Sequence, residues 1–200
     1  MTWSYSRVAS FDDCPYKWFL SYLYRDENGH SLKKKSGFFA EFGSYMHKIL
    51  QMYLSGLLEK ERLSTYYVAH FKENVFSKAP NSKIYMNYFQ QGFHYLDDFS
   101  FPSRSIIGVE EKVDFMFAGR KFTGFVDLIS ENGKLIVTDH KSRTLKPRSR
   151  RSKPTKHDAE LDEYLRQLYV YSAAIKGKYG RYPDILEFNC FRSQALIQEP

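Results

Sequence analysis

Two apolar runs on either side of a turn signal constrain this chain more than any other feature. Gly124-Phe125-Val126-Asp127-Leu128-Ile129 precedes Glu131-Asn132-Gly133, and Leu135-Ile136-Val137-Thr138-Asp139-His140-Lys141 follows it. Short apolar runs bounded by Asn-Gly fold as a β-hairpin. Each run is interrupted by an aspartate, which strands disfavour. If Glu131, Asn132 and Gly133 form the loop, with Gly133 at positive φ, Ser130 faces Lys134 and Asp127 faces Val137. Directly paired residues share a face, as do residues two apart on a strand. Asp127, Val137, Asp139 and Lys141 then line one side of the sheet. A loop of Asn132-Gly133 alone would pair Asp127 with Thr138 and send Asp139 to the other face, unless a bulge restored the parity. On the first register, two carboxylates and an ammonium group can hold a divalent cation beside a positive charge. Metal-assisted phosphodiester cleavage requires that arrangement. On the second, the hairpin is an amphipathic edge with solvated acids.

The rest of the chain reads as helices before the hairpin and a helix and a strand after it. Helical spacing over 10–24, with Pro15 at a helix start, gives a short N-terminal element. A polar loop spans 26–35. Phe42, Tyr45, Met46, Ile49, Leu50 and Tyr53 form an apolar stripe on a helix over 38–60. Two more helices, over 63–76 and 84–99, are split by Ala79-Pro80-Asn81-Ser82. Strands are expected over 106–117, 121–129, 135–138 and 185–191, with a helix over 159–179. The 135–138 strand is fully apolar and therefore central. The helix between the third and fourth strands sets them parallel. The fold class is α/β, a mixed central sheet flanked by helices with an N-terminal helical region. All 200 residues form one domain, in which 60–100 is a helical insertion packed outside the sheet.

Formal net charge is +7, and Lys141, Arg143, Lys146, Arg148, Arg150, Arg151, Lys153 and Lys156 form a segment of eight cations without an acid. The remainder of the chain is near neutral. The loop over 144–156 is therefore a local anion-binding feature suited to nucleic acid phosphates. Solvated charge runs are common, but this one begins at Lys141. No apolar run approaches the roughly 18 residues of a membrane span. No basic start followed by an apolar block marks a secretory signal. With two cysteines, Cys14 and Cys190, a disulfide framework is not expected, and a cytoplasmic protein is the simplest fit.

Three further positions stand out. His47 lies four residues after Gly43 on the 38–60 helix, and a close backbone approach would explain a glycine there. A lone helical histidine is otherwise an ordinary core or surface residue. Gln167 and Tyr171, four apart, share a face of the 159–179 helix. A glutamine facing the core needs hydrogen-bond partners.

Together these residues resemble the RecB/Cas4-like (AddB-type) branch of the PD-(D/E)XK nuclease superfamily. Tyr5-Ser6 through Phe11 and Cys14-Pro15-Tyr16-Lys17 are similar to its N-terminal segment. Gly43 and His47 match its glycine-and-histidine helix, Gly124-Phe125-Val126-Asp127 its first acidic motif, Asp139-His140-Lys141-Ser142 its acid-x-lysine motif, and Gln167 with Tyr171 its glutamine-x-x-x-tyrosine helix. The resemblance implies a restriction-endonuclease-like core. It also implies a metal-dependent DNA nuclease, an exonuclease acting in recombination, repair or CRISPR-adaptation-type processing, with DNA and proteins of those pathways as partners. His47, Asp127, Asp139 and the His140 carbonyl would hold Mg²⁺ or Mn²⁺, hard cations suited to such ligands. Lys141 would orient or help deprotonate the attacking water and offset charge on the phosphate. Gln167 and Tyr171 would shape the site or hold the DNA strand. Lys146, Arg148, Arg150, Arg151, Lys153 and Lys156 would grip phosphates.

Many members of this branch hold a 4Fe-4S cluster on one N-terminal and three C-terminal cysteines. Cys14 occupies the first position, but the trio has no counterpart and Cys190 does not match it, so two thiols stand where four are needed. Either the chain has no cluster, or further cysteines lie beyond Pro200. Cys14 reads as a buried structural thiol. The alternative function is a catalytically inactive DNA-binding or assembly module with the same fold, against which the intact acid-acid-lysine set argues. A small-molecule hydrolase lacks both a nucleophile elbow and a zinc-type cluster.

Overall fold

The hairpin forms one residue out of the expected register. In the computed structural model, which describes residues 1–32 and 36–200, Glu131 pairs with Leu135, and Ile129 with Val137. The loop is therefore Asn132-Gly133-Lys134, with Gly133 at φ 81°. Placing the loop one residue later moves the pairing by two, so the parity survives. By count, Asp127 stands opposite Asp139 rather than Val137.

Five strands make the sheet, β1 (Ser105–Phe117), β2 (Arg120–Glu131), β3 (Leu135–Lys141), β4 (Ile185–Cys190) and β5 (Ala195–Glu199), in sequential order. All neighbours are antiparallel except β3 and β4, which run parallel. Their crossover is the helix α6 (Lys156–Tyr179). This is the expected mixed sheet flanked by helices. β3 is central, and every residue from Leu135 to His140 is buried. β5 was not expected, because Ala195-Leu196-Ile197-Gln198-Glu199 lacks clear alternation. α6 starts three residues before the expected Ala159. The cause is a capping box in which Thr155 and Asp158 satisfy each other's main-chain N–H groups. Gly180, left-handed at φ 75°, ends the helix.

Among the described residues, five further α-helices precede the sheet. They are α1 (Tyr5–Asp13), α2 (Pro15–Tyr22), α3 (Phe38–Leu54), α4 (Leu63–Asn74) and α5 (Ser82–Asp97). The single N-terminal helix expected over 10–24 is thus two. Pro15 disfavours helical backbone at the residue before it, and Cys14 is extended at φ −160° and ψ 107°. Asp26 opens a turn in which its carboxylate accepts the N–H groups of Asn28 and His30. The last three residues of the expected 26–35 loop lie outside the described residues.

The sheet separates two cores. On one side Phe42, Met46, Ile49 and Leu50 of α3 pack with Tyr67 and Phe71 of α4 and with Tyr95 and Leu96 of α5, meeting Leu128 and Phe191. On the other, Leu161, Leu165, Leu168 and Ile175 of α6 cover Val137, Phe188 and Ile197. Fully burying each such side chain contributes about 1.5–3 kcal/mol. Among the described residues, no helix is long and apolar enough to cross a membrane.

Candidate active site

β2 and β3 part company at Asp127. Their ladder ends at Leu128↔Thr138. One step beyond, Asp127 Oδ2 accepts the His140 main-chain N–H at 2.7 Å. Further along β2, Trp3 forms a bridge with Phe122, donating to the Lys121 carbonyl and accepting from the Thr123 N–H. A carboxylate thus fills the gap where β3 has turned away.

His47 enters the fork from α3. Its Nε2 bonds the His140 carbonyl at 2.9 Å. A carbonyl only accepts, so Nε2 carries the hydrogen. Nδ1 then faces Asp127 Oδ2 at 3.5 Å and Glu110 Oε1 at 3.8 Å. The close approach expected to explain Gly43 is absent. A Cβ there would sit 3.6 Å from Ser142 Oγ, an ordinary contact. Gly43 instead borders an open groove of about 360 Å³, lined also by Ser44, His47, Lys48, Gln51 and Glu110.

Asp139 and Lys141 lie on the α6 side. Lys141 Nζ is 2.6 Å from Asp139 Oδ2 and 3.5 Å from Gln167 Oε1. The contact with Asp139 is an ion pair off the hydrogen-bond direction, since that oxygen is buried and has no hydrogen-bond partner among the described residues. Lys141 also lies over the Tyr164 ring, 5.1 Å from its centroid. Tyr171 packs beneath Gly124, where a Cβ would come within 2.5 Å of its hydroxyl. The glycine of that motif therefore makes room for the tyrosine of α6.

The electrostatics follow from burial around like charges. Desolvation and the neighbouring Asp139 charge push the Asp127 carboxyl up to about 7, against the pull of His47 and the His140 N–H. Burial lowers the His47 imidazole, but the Glu110 carboxylate and the charges of Asp127 and Asp139 outweigh it, and the net shift is upward. Burial, helped by the His47 and Lys141 charges, pushes the His140 ring down to about 3. That ring is neutral, and its Nδ1 accepts from Asn189 at 3.1 Å. Only the His140 carbonyl, on the fork, is placed to serve a cation.

These groups fit a divalent cation. His47, Glu110 and Asp127 offer ligand atoms within 4.8 Å of one another. The Nδ1 lone pair and the carboxylates are all acceptors, and Asp127 is driven to hold a proton unless another positive charge takes its place. Oxygen ligands with one imidazole suit Mg²⁺ or Mn²⁺ chemistry. Sequence reasoning missed Glu110. Its signal was Glu110-Glu111 on a strand, where two successive acids cannot both point to one face.

The basic loop is partly committed to structure. Arg148 bonds Asp162 at 2.6 Å and Glu199 at 2.8 Å. Ser149 donates through N–H and hydroxyl to Asp158, and Leu145 is buried. Lys146, Arg150, Arg151, Lys153 and Lys156 are exposed and have no ion-pair partner among the described residues. Cys14 is half-buried rather than buried, and its Sγ caps α2 by accepting the Lys17 N–H. Cys190 is buried on the α6 side; both thiols are free.

A search of curated proteins gave no match. A family model for the PD-(D/E)XK nuclease superfamily matches residues 2–195. The match takes in the forked hairpin, the α3 histidine and the α6 glutamine and tyrosine, and nucleases of that type act on DNA with divalent metals. By a match over nearly its whole length and by its mixed five-stranded sheet, the chain belongs to the PD-(D/E)XK nuclease superfamily.

Proposed function

We propose that this protein is a Mg²⁺- or Mn²⁺-dependent DNA exonuclease of the RecB/Cas4-like (AddB-type) branch, serving recombination, repair or CRISPR-adaptation-type processing. The observation that carries the reading is the fork, where Asp127 faces His47 at 3.5 Å while Asp139 and Lys141 approach within 2.6 Å beside it. A helical histidine and a Gln167–Tyr171 pair accompany the acids, as in the branch the sequence resembles.

Asp127, Asp139, His47 and the His140 carbonyl would hold the cation, with Glu110 beside His47 and Asp127. When bound, it supplies Lewis-acid charge that activates water and neutralises the phosphate. Lys141, fixed by Asp139 and Gln167, presents donors to the attacking water and to a phosphate oxygen. Gln167 keeps the Lys141 side chain from leaving the site. Tyr171 sets the distance between α6 and β2 through Gly124. The exposed cations of the 144–156 loop hold the flanking phosphates. The imidazole tilts metal preference towards Mn²⁺.

End-labelled linear duplex, linear single strands and closed circles, each incubated with Mn²⁺, Mg²⁺ or EDTA, test this. Linear DNA should shorten from an end only with metal, circles should persist, and Asp139→Asn or Lys141→Ala should abolish the reaction. Cut circles would overturn the exonuclease reading. Failure to cleave any substrate with either metal would overturn the enzyme and leave a DNA-binding module.

A further inference from the structure

β1 is an open edge of the sheet. It runs for 13 residues and has β2 as its one strand neighbour. No other main-chain hydrogen bond reaches it among the described residues. Such an edge offers a row of unpaired N–H and C=O groups to any extended chain. A bulge between Ile106 and Gly108 and the left-handed Glu110, at φ 48°, break up its first half. Its second half, residues 111–117, pairs regularly with β2 down to the turn.

The turn decides which groups face outwards. Phe117 and Arg120 close a two-residue loop of Ala118 and Gly119, at φ 47° and 72°. Residues flanking such a loop exchange two main-chain bonds, and bonded and non-bonded pairs then alternate along the strands. Phe117, Phe115 and Val113 therefore turn their main-chain groups to β2, while Met116, Asp114 and Lys112 turn theirs to the open edge. Lys112 and Asp114 share the face opposite to Val113, which packs in the α6 core, and their side chains are 61% and 64% exposed. Beside the edge, Ala173, Ala174 and Gly177 of α6 border an open channel along residues 112–116. These three positions carry nothing longer than a methyl group, and a Cβ at Gly177 would meet nothing within 4 Å.

Charge selects the occupant. A lysine on an edge guards it against foreign strands. With Asp114 two residues on, Lys112 does not guard the edge against its own copy. Turned about a two-fold axis at Val113, a second chain sets its Asp114 opposite Lys112 and its Lys112 opposite Asp114. Both pairs fall on residues whose main-chain groups face outwards, so each pair exchanges two hydrogen bonds and also matches opposite charges.

We propose that β1 pairs antiparallel with β1 of a second copy of this chain, centred on Val113, in a symmetric dimer that joins the two sheets into one. A self-complementary patch of this kind is what a two-fold interface requires. By the same count, Met116 of the second copy stands opposite Glu110, which lines the groove beside His47. Each copy thus supplies an exposed methionine to the rim of the other's groove.

Sedimentation velocity over a concentration series is the test. Wild type should pass from monomer to dimer, and hydrogen–deuterium exchange at Lys112 and Asp114 should slow as it does. Lys112→Asp and Asp114→Lys each set like charges opposite one another at two symmetric places. Each should raise the dissociation constant at least about tenfold. The double variant Lys112→Asp/Asp114→Lys restores both pairs and should dimerise within about threefold of wild type. Both positions are exposed, so all variants should keep the wild-type circular dichroism spectrum. A wild type that stays monomeric throughout, single variants that dimerise as wild type does, or a double variant no better than the singles overturns the proposal. None of these readouts involves cleavage, so the nuclease reading is decided separately.

Discussion

Asp127 Oδ2 lies 2.7 Å from the His140 main-chain nitrogen, so a side chain closes a gap in the sheet that a strand would otherwise fill. The same oxygen faces His47. By parting β2 from β3 the contact also frees the His140 carbonyl to meet the α3 helix. Fold and site therefore share one carboxylate, and substitutions there can separate the two roles.

Asp127→Asn keeps an oxygen for the His140 N–H and removes the charge. It should fold, melt in EDTA near pH 8 no lower than wild type, and lose at least about a hundredfold in metal-dependent cleavage. Asp127→Ala leaves the N–H without its acceptor, a loss of about 1–3 kcal/mol. Thermal denaturation beside a cleavage assay separates these effects. An asparagine variant that melts as low as the alanine variant would show that charge, not hydrogen bonding, holds the fork together.

Acidity gives a second handle on the same residue. The Asp127 carboxyl is raised from 3.8 to about 7, and His47 is raised from 6.5. Both groups bind a proton more tightly in the fold than in the unfolded chain. The Asp127 contribution is complete below about pH 4 and is lost as pH rises through about 7, and the His47 contribution is complete below pH 6.5 and is lost above it. The metal-free protein should therefore lose stability across that window. A divalent cation takes over where the proton leaves, so the Mn²⁺-induced rise in Tm should be larger near pH 8 than near pH 5.5. An equal rise at both would exclude proton binding by this pair.

The fork explains which parts of the molecule could be read in advance. Apolar continuity marked β3 as central, and the crossover helix made β3 and β4 parallel. Both follow from local pattern. The register slipped by one residue because Lys134, rather than Glu131, completes the loop, and a polar turn gives little to choose between them. The Glu110-Glu111 pair showed that one of two acids leaves the strand's outer face, but not which, because the place of Glu110 depends on a left-handed residue that breaks strand alternation. Arg148 looked like its basic neighbours, since its partners Asp162 and Glu199 come from elements distant in sequence. Gly43 was marked correctly as unusual, but the groove beside it, not a close backbone, accompanies it.

Gly124 and Tyr171 form a pair that a double-mutant cycle can isolate. A methyl group at Gly124 would meet the Tyr171 hydroxyl and ring at 2.5–2.7 Å. Gly124→Ala should destabilise the protein by about 1–3 kcal/mol through overpacking. Tyr171→Leu shortens the side chain, and the double variant should recover much of the Gly124→Ala loss. Strictly additive losses in urea denaturation would mean that the two residues do not meet as described.

The basic loop divides into one structural cation and several free ones, and salt dependence distinguishes them. Each phosphate neutralised contributes about 0.9 to the slope of log affinity against log salt for duplex DNA. Replacing Arg150, Arg151 and Lys153 together with alanine should flatten that slope by about 2–3, because these side chains are exposed and lack ion-pair partners among the described residues. Arg148→Ala should leave the slope nearly unchanged, since its guanidinium is held by Asp162 and Glu199. The Arg148 guanidinium is 40% exposed in both ion pairs, so each is worth about 1 kcal/mol, and the loop should loosen without unfolding the protein. Fluorescence anisotropy over a salt series reads both outcomes. A triple variant with the wild-type slope would remove the loop from the DNA interface, and a flattened slope in Arg148→Ala would mean that its acidic partners yield to phosphate when DNA binds.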